Sequence, residues 1–350
     1  MKLDELVNYL RNYSGRTPVK IMEVCGTHTS SIFRSGIRSL LPGTVRLVSG
    51  PGCPVCVTPM ADIDALADIA RDAEVLSFGD MFRVPGSRLS LAEAKAQGAQ
   101  VRLMYSPFEV LDLARAEPEK RFVVAAVGFE TTAPVYAALL DTLIAEGIDN
   151  VRLYTALKTM PEVLDFVCAN EAVDAFLCPG HVSAVIGSSA YEGLCARYKK
   201  PFVIAGFEAE HILAAVYEII RQKESGSCSV KNLYPSVVSA GGQTKALALL
   251  DKYFIKTGSY WRGIGSIKNS GLRLKDEYAR FSANLADSVS DFSEKEKEPA
   301  VPNCRCTDVM LGRISPDECA LFGKACTPRH PVGACMVSAE GACGIWNSNG

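Results

Sequence analysis

The chain has 350 residues, with 37 lysines and arginines against 39 aspartates and glutamates, so its formal net charge is -2. This length accommodates two or three domains of roughly 100 to 200 residues, and the balanced charge disfavours nucleic acid or an anionic membrane as a partner. No apolar run reaches the roughly 18 residues that a membrane span needs, and Asp4 and Glu5 stand where a secretory signal would be apolar. We therefore expect a soluble, cytoplasmic protein.

Short β-rich runs alternate with helical patterns through the first two thirds of the chain, which is typical of parallel α/β architecture. The runs fall into two groups of four, which predicts two similar small domains. The first group of predicted strands is 19–24, 45–49, 74–78 and 101–105, and the second is 122–127, 151–155, 175–178 and 202–205. The helical stretches predicted between them are 30–41, 61–73, 91–97, 134–146, 161–170 and 209–222.

From about residue 234 a helical stretch leads away from this pattern towards a tail that has few large apolar side chains. Such a tail needs a metal centre to hold its shape. We predict an α/β fold with two Rossmann-like parallel-sheet domains, residues 15–117 and 118–230, and a mostly helical or irregular, cysteine-rich iron–sulfur domain. The third domain spans residues 231–350, to which residues 1–14 could be added.

Thirteen cysteines, an odd number, occur in this chain. Structural disulfides are disfavoured in a reducing compartment, so these side chains are better explained as metal ligands, redox thiols or buried apolar residues. Three lie in Gly-rich turns near the N-terminus and six crowd positions 304 to 350. We expect the other four to be mainly packing residues: Cys168, Cys178, Cys195 and Cys228.

The first predicted strand is followed by the segment Cys25-Gly-Thr-His-Thr29, just before a helix. Ligands bind beyond the carboxyl ends of parallel strands, where helix N-termini direct free N–H groups inward. We expect the pKa of Cys25 to be lowered there, which favours the thiolate, and His28 to offer a metal ligand or a proton-transfer group. A buried cysteine beside a helix-capping histidine also explains these five residues, and for the segment alone it is the commoner case.

The second predicted strand ends in Gly50-Pro-Gly-Cys-Pro-Val-Cys56. A C-x-x-C loop brings the sulfurs of Cys53 and Cys56 within disulfide or metal range. A single C-x-x-C lacks the ligands for a closed zinc site, so redox use is favoured. A structural zinc completed by tail cysteines is the alternative.

The other strand ends carry polar groups without an obvious nucleophile. Glu130 and His181 could act as acid–base or supporting groups. Neither a G-x-x-x-x-G-K-[ST] loop nor a G-x-G-x-x-G motif follows these strands, so nucleotide chemistry is not indicated.

The tail has the strongest signal, with the spacing C-x-C-x12-C-x6-C-x8-C-x7-C from Cys304 to Cys343. Six cysteines exceed the four that a zinc ion or a [4Fe–4S] cluster requires, which leaves two for a thiol pair. The spacing favours an iron–sulfur centre, with zinc and a metal-free tail as the alternatives.

Taken together, these segments resemble the HypD family of [NiFe]-hydrogenase maturation proteins. The matching stretches occur in family order over nearly the whole chain: Cys25-Gly-Thr-His-Thr29, Gly50-Pro-Gly-Cys-Pro-Val-Cys56, Phe78-Gly-Asp-Met-Phe82, Gly128-Phe-Glu-Thr-Thr132, Cys178-Pro-Gly-His181, Cys326-Thr-Pro328 and Cys335-Met-Val-Ser-Ala-Glu-Gly-Ala-Cys343.

The resemblance implies a maturation factor that assembles the Fe(CN)2CO moiety of the hydrogenase active site with a small HypC-type chaperone. A HypE-type protein delivers the cyanide, and the hydrogenase large subunit is an indirect partner. Cys25 is then the iron-binding thiolate on this chain, with His28 nearby. Such a chain is an assembly scaffold with redox activity more than a free-standing enzyme.

The resemblance also implies a [4Fe–4S] cluster in the tail, arranged as in ferredoxin:thioredoxin reductase, with a disulfide beside the cluster. Electrons would pass from the cluster through the thiol pair to Cys53 and Cys56 and on to the iron. The implied cluster ligands are Cys304, Cys319, Cys326 and Cys343, and the implied thiol pair is Cys306 with Cys335.

Two further functions stay open at this point. A cluster-linked thiol–disulfide oxidoreductase needs the tail and the C-x-x-C pair but gives Cys25 and His28 no task. A zinc-stabilised binding module needs only the metal-binding tail.

Overall fold

The computed structural model describes residues 3–15, 18–284 and 301–349. The helices are α1 Leu3–Arg11, α2 Gly26–Arg34, α3 Ile37–Leu40, α4 Met60–Ile69, α5 Leu91–Ala96, α6 Glu109–Ala116, α7 Ala133–Glu146, α8 Met160–Asn170, α9 Gly180–Ile186, α10 Glu192–Tyr198, α11 Ala209–Glu224, α12 Thr244–Tyr253, α13 Cys306–Met310 and α14 Ala342–Asn349. The strands are β1 Val19–Glu23, β2 Val45–Ser49, β3 Glu74–Ser77, β4 Val101–Leu103, β5 Phe122–Gly128, β6 Val151–Lys158, β7 Ala175–Cys178, β8 Phe202–Ile204, β9 Val230–Asn232, β10 Phe254–Trp261 and β11 Gly265–Leu274.

Two sheets dominate the described residues. One is parallel throughout, with the strand order β2-β1-β7-β8-β9, and the other has the order β10-β11-β6-β5-β3-β4. In the second sheet β6, β5, β3 and β4 are parallel, and the hairpin of β10 and β11 adds to β6 in the antiparallel sense. The α/β class, with parallel-dominated sheets and a cysteine-rich C-terminal region, is therefore confirmed.

Apolar side chains cover both faces of each sheet, which explains the continuous apolar strands. Ile21 belongs to the core on one face of the five-stranded sheet, whereas its neighbour Met22 belongs to the core on the other face. Val124 and Val123 divide in the same way across the six-stranded sheet. Successive side chains of a strand point to opposite faces, so only a strand with helices on both sides needs both positions apolar.

The sheets do not follow the predicted segments 15–117 and 118–230. Strands β1 and β2 pair with β7, β8 and β9, while β3 and β4 pair with β5 and β6. Each segment thus contributes to both sheets, and a division at residue 117 does not separate them. Parallel strands are joined by long crossovers, so neighbours in sequence need not share a sheet.

The third segment, 231–350, predicted to be mostly helical or irregular, also contains regular strands. After α12 the chain forms β10 and β11, which extend the six-stranded sheet. Only the region after residue 301 is irregular and cysteine-rich among the described residues. The predicted helix 30–41 is divided into α2 and α3, because Gly36 adopts a left-handed conformation with φ of 61°.

Within the described residues, the N-terminal helix α1 packs chiefly on α11 and not on the tail. Leu6 and Leu10 are buried in the core beneath α11, and the hydroxyl of Tyr9 donates to Glu224 at 2.8 Å. The tail instead returns to α2 through α14, where the ring of Trp346 meets Phe33 edge-on at 4.7 Å. The described helices include none that is long and apolar enough to span a bilayer.

Candidate functional site

The carboxyl ends of strands from both sheets open on one cleft of about 610 Å³. The loops after β1 and β7 of one sheet meet the loops after β3, β4 and β5 of the other. Such strand ends are where ligands bind in open α/β sheets. The polar groups that line the cleft include Cys25, Asp80, Thr131, His181 and Glu340.

Cys25 follows β1 and caps the N-terminus of α2, with an extended backbone at φ -153° and ψ 124°. The backbone N–H groups of Thr27 and His28 and the Thr27 hydroxyl lie near its sulfur and act to lower its pKa, although the side chain makes no capping hydrogen bond. The helix N-terminus therefore points donors at the thiol, as the position after β1 predicts.

The predicted direction of the Cys25 pKa shift is wrong. Burial, which disfavours the charged thiolate, is the largest influence and raises the pKa, and it outweighs the effect of Thr27 and His28. The neighbouring carboxylate of Glu340 raises the pKa further. Without a cation beside it, the thiol is thus held in its neutral form.

His28 is fully buried at the start of α2. Its Nε2 lies 3.2 Å from the carbonyl oxygen of Gly206, so this nitrogen donates, and its Nδ1 has no hydrogen-bond partner. Burial lowers the pKa of His28 to about 4, with the nearby His181 acting in the same direction. The imidazole is therefore neutral at pH 7.

A phenylalanine ring connects this histidine to the cleft. Phe207 lies 4.8 Å from the His28 ring and 4.3 Å from the His181 ring, centroid to centroid. His181 lines the cleft, and burial lowers its pKa. Both histidine rings therefore pack against the Phe207 ring, beside the loops at the carboxyl end of the five-stranded sheet.

Cys53 and Cys56 are joined in a disulfide and are buried. The backbone N–H of Cys56 donates to the sulfur of Cys53 at 3.2 Å. A β-carbon at Gly52 would lie 2.7 Å from the backbone nitrogen of Cys25. Glycine is therefore required for the loop to approach Cys25 this closely.

Three tail cysteines form a compact group. The sulfur atoms of Cys306, Cys335 and Cys343 all lie within 4.8 Å of one another, and among the described residues only this group meets the spacing of a metal site. Hydrogen bonds from Cys306 and Cys343 hold the pKa of Cys335 well below its usual range, whereas the same contacts raise the pKa of Cys343. Soft sulfur donors at this spacing suit iron or zinc.

Two more tail cysteines, Cys304 and Cys326, lie near this group. A side chain at Gly333 would overlap the sulfurs of both Cys304 and Cys306. The sulfur of Cys326 accepts a hydrogen bond from the backbone of Val332 at 3.4 Å. Cys319 ends the short turn Pro316–Glu318, and its sulfur is outside the compact group.

Cysteines of the cleft, of the C-x-x-C loop and of the tail border one small void. Cys25, Cys53, Cys56 and Cys335 all line it, and its volume is about 10 Å³. A space of that size holds no more than about one water molecule. The C-x-x-C disulfide, the iron-binding candidate at the cleft and one cysteine of the tail group therefore border the same void, which leaves almost no room for solvent.

Glu340 brings the tail to the cleft, where it lies near Asp80. Its backbone N–H donates to the hydroxyl of Ser338 at 3.1 Å, and that hydroxyl donates to Asp80 at 2.7 Å. Desolvation raises the pKa of the Glu340 carboxyl, and Asp80 raises it further. Both carboxyl groups line the cleft beside Cys25.

Comparison with known proteins identifies the family of the chain. A family model, HypD, described as "Hydrogenase formation hypA family", matches residues 2–350. The chain belongs to the HypD family. It is 40% identical to the hydrogenase maturation factor HypD of Escherichia coli K12, over 98% of this chain and 94% of that protein. It is 42% identical to HypD of Azotobacter vinelandii (95% and 89% covered) and 41% identical to HypD of Rhodobacter capsulatus (94% and 89%). The chain is therefore a hydrogenase maturation factor.

The HypD motifs quoted from the sequence converge in space. The segments that begin at Cys25, Gly50, Phe78 and Gly128 each contribute residues that line the cleft. Glu130 itself is buried behind the cleft and accepts a hydrogen bond from the backbone N–H of Met160 at 2.8 Å.

The sequence patterns did not identify Asp80, Ser338 or Glu340 as site residues. Each lies in a quoted HypD motif, Phe78–Phe82 or Cys335–Cys343, but none has a spacing that indicates chemistry. Their role depends on the tail meeting the loop after β3, a contact between residues 258 positions apart. Membership of these motifs was the only feature of the sequence that could have indicated the three residues.

Proposed function

We propose that this chain is the scaffold and redox component that assembles the Fe(CN)2CO moiety of the [NiFe]-hydrogenase active site. It would act with a HypC-type chaperone, accept cyanide from a HypE-type protein and serve the hydrogenase large subunit indirectly. The supporting observation is the void that Cys25, Cys53, Cys56 and Cys335 share. That void joins a metal-binding thiol to a disulfide and to the tail cysteines.

Cys25 is the proposed iron-binding residue for this cargo. The nearby backbone N–H groups of Thr27 and His28 already favour its thiolate, so a bound iron would complete the stabilisation that the thiolate needs against burial. A low-spin iron with strong-field carbon ligands suits a soft thiolate, and the enclosed cleft keeps water from the fragment. His28 is proposed to support the iron site, since its Nδ1 is a buried acceptor without a partner.

The tail is proposed to hold a [4Fe–4S] cluster, since its cysteines supply the soft sulfur donors that such a group needs and three of their sulfurs lie within 4.8 Å of one another. Of the ligands that the resemblance implies, Cys343 belongs to this compact group. The cluster, when bound, supplies single electrons. We assign Cys304, Cys319, Cys326 and Cys343 as its ligands and Cys306 with Cys335 as the thiol pair.

The thiol pair and the C-x-x-C disulfide can exchange directly. Two thiols, Cys306 and Cys335, become a disulfide while the Cys53–Cys56 bond is reduced to two thiols, so two electrons and two protons move together. Cys335 and the disulfide border the same void, so this exchange needs no passage through solvent. Free thiols and a reducible disulfide suit the cytoplasm, where we place the protein.

The mouth of the cleft offers a surface for the chaperone. Leu103 and Tyr105 line the cleft, and 39% and 81% of their surfaces are exposed. Exposed apolar side chains beside a site commonly mark a partner's contact surface. The resemblance assigns the second sulfur ligand of the iron to the chaperone's N-terminal cysteine, which would enter here.

Infrared spectroscopy of the anaerobically purified complex with its chaperone tests the proposal. Cyanide and carbonyl stretching bands are expected from the native chain and from a Cys168→Ala control, and their loss is expected in Cys25→Ala. Persistence of the bands in Cys25→Ala would contradict the assigned role. Metal analysis of the same samples should find iron; zinc without iron would favour a zinc-stabilised binding module.

A second candidate is a cluster-linked thiol–disulfide oxidoreductase that resembles ferredoxin:thioredoxin reductase. The buried disulfide next to the tail cysteines favours it. Such an enzyme should reduce a disulfide substrate without a partner protein, and Cys25→Ala should keep that activity. Failure of the native chain to turn over a disulfide under reducing conditions would exclude this candidate.

A further inference from the structure

Four cysteines outside the cleft and the tail share one region of the core. They come from β7, α8, α10 and the loop before β9, and all pack in or against the same apolar cluster of the five-stranded sheet. Three are buried and the fourth is half-buried. The buried three are Cys168, Cys178 and Cys195, and the half-buried one is Cys228.

Two of these four thiols are in direct contact. The sulfurs of Cys195 and Cys228 lie within hydrogen-bonding reach of each other. Cys168 and Cys178 are also buried, and Cys195 acts on both of them only through its charge, without a hydrogen bond. The four therefore consist of one contacting pair and two neighbours.

The backbone holds Cys228 beside Cys195. Strand β8 pairs in parallel with β9, with Phe202 opposite Val230, and the N–H of Phe202 donates to the carbonyl of Ser229 at 3.3 Å. Helix α10 ends at Tyr198, and the left-handed backbone of the next residue, Lys199 (φ 52°), turns the chain into β8. The residue two before β9 is thus fixed near the last turn of α10.

This arrangement suits a disulfide better than a metal. Within the described parts of the chain, the tail group alone brings three or more ligand atoms within 4.8 Å, so these four sulfurs do not form a metal-binding set. A disulfide needs only two sulfurs, and the two thiols can react one after the other. Cys228 is the half-buried member of the pair, and Cys195 is the buried one.

We propose that Cys195 and Cys228 form a redox-active thiol pair that closes to an intrachain disulfide in the presence of a low-molecular-weight disulfide. The Cys228 sulfur first attacks that disulfide, which forms a mixed disulfide and releases one small thiol. Cys195 then attacks the Cys228 sulfur, which releases the second small thiol and forms the Cys195–Cys228 bond. The small disulfide gains the two electrons and two protons that the pair loses.

The second step is expected to be slow at neutral pH. Burial raises the pKa of Cys195 to about 11, and Cys228 adds to this rise while Lys199 opposes it. The mixed disulfide on Cys228 therefore accumulates before the pair closes. Once closed, the bond ties α10 to β9 and should raise the thermal unfolding midpoint by a few degrees.

Peptide mapping after anaerobic treatment of the full chain with oxidised glutathione tests the pair. Remaining thiols are blocked with N-ethylmaleimide, and cleavage after glutamate separates the four cysteines. Peptide 193–208 holds Cys195, peptide 225–277 holds Cys228, and Cys168 and Cys178 fall in 163–171 and 172–192. A cross-link between 193–208 and 225–277 that disappears on reduction is expected.

Variants decide between a true pair and unrelated thiols. In Cys195→Ser, Cys228 should keep glutathione as a stable mixed disulfide. In Cys228→Ser, Cys195 should form no cross-link. The second variant tests the pair even if the first one fails to fold. Cys168→Ser is the control and should cross-link as the native chain does. Maleimide on both native peptides, or loss of the cross-link in Cys168→Ser, would overturn the proposal.

Discussion

The backbone of Glu340 lies directly against the α-carbon of Gly26, at the first turn of the helix that follows Cys25. A β-carbon at residue 26 would come within 2.8 Å of the Glu340 α-carbon. The tail thus reaches the iron-binding candidate by main-chain contact, which no side chain can replace. This contact closes the void that Cys25 shares with Cys335.

Gly26→Ala should displace the tail from α2. The added methyl meets backbone and not a flexible side chain, so we expect a destabilisation of about 1–3 kcal/mol, measured by urea unfolding. Opening of the void should also speed maleimide labelling of Cys25 several-fold. Gly193→Ala is the matched control, because nothing lies within 4 Å of the β-carbon there. Equal labelling rates in the two variants would show that the contact does not close the site.

Gly333→Ala should impair metal binding by the tail. The new methyl would overlap the sulfurs of Cys304 and Cys306, while the backbone of Gly333 (φ -115°) accepts alanine without strain. Iron content of the anaerobically purified protein is the measurement, and a large loss is expected. Gly43→Ala, where a β-carbon meets nothing within 4 Å, should keep its iron. Full iron content in Gly333→Ala would mean that these thiols do not share the centre.

Much of the fold could be predicted because buried strands leave a clear pattern. The apolar runs at 122–127 and 175–178 coincide with β5 and β7, and Gly or polar residues mark their ends. The motifs after β1 and β2 were expected at strand ends and lie there. Burial on both faces, which both strands show, is what makes such runs visible in a sequence.

The unpredicted features depend on long-range packing. Which sheet receives β7 is decided by its pairing with β1, more than 150 residues earlier, and strand periodicity does not encode a partner. Strand β10 is buried only at its two ends, Phe254 and Trp261, and a bulge between Thr257 and Ser259 interrupts its pairing with β11, so the strand pattern in the sequence is weak. The pKa of Cys25 depends on how much of the tail covers it, which spacing does not reveal.

Arg38→Ala should be strongly destabilising because it removes the cationic partner of a buried carboxylate. Arg38 binds Glu23 at 3.1 Å, and the Glu23 side chain is fully buried. Its guanidinium also lies 5.0 Å from the Trp346 ring, so it links α14 to the sheet. Removal of one partner from a buried ion pair costs roughly 3–5 kcal/mol, whereas Arg71→Ala at an exposed pair should cost less than about 1 kcal/mol. Urea unfolding of both variants is the measurement. Similar losses of unfolding free energy in the two would contradict the role of Arg38 in a buried ion pair.

Glu130→Gln should remove a pH dependence from the stability of the fold. Burial raises the pKa of Glu130 to about 7, with Glu162 adding to the rise and Lys256 opposing it. The folded chain therefore binds this proton more tightly than the unfolded chain does. The resulting stabilisation is complete below the unfolded pKa of about 4.5 and is lost as pH rises to about 7, by up to about 3 kcal/mol.

The glutamine variant keeps the oxygen that accepts the Met160 N–H bond but carries no charge at any pH. Unfolding free energies at pH 5 and pH 8 are the measurement. Glu130→Gln should match the native chain near pH 5 and exceed its stability at pH 8, because only the native chain must bury a carboxylate there. Glu109→Gln is the control, since Glu109 lies on the surface, where its carboxylate accepts from the N–H groups of Tyr105 and Ser106. A native chain that gains stability from pH 5 to pH 8 relative to Glu130→Gln would show that the Glu130 proton is not held by the fold.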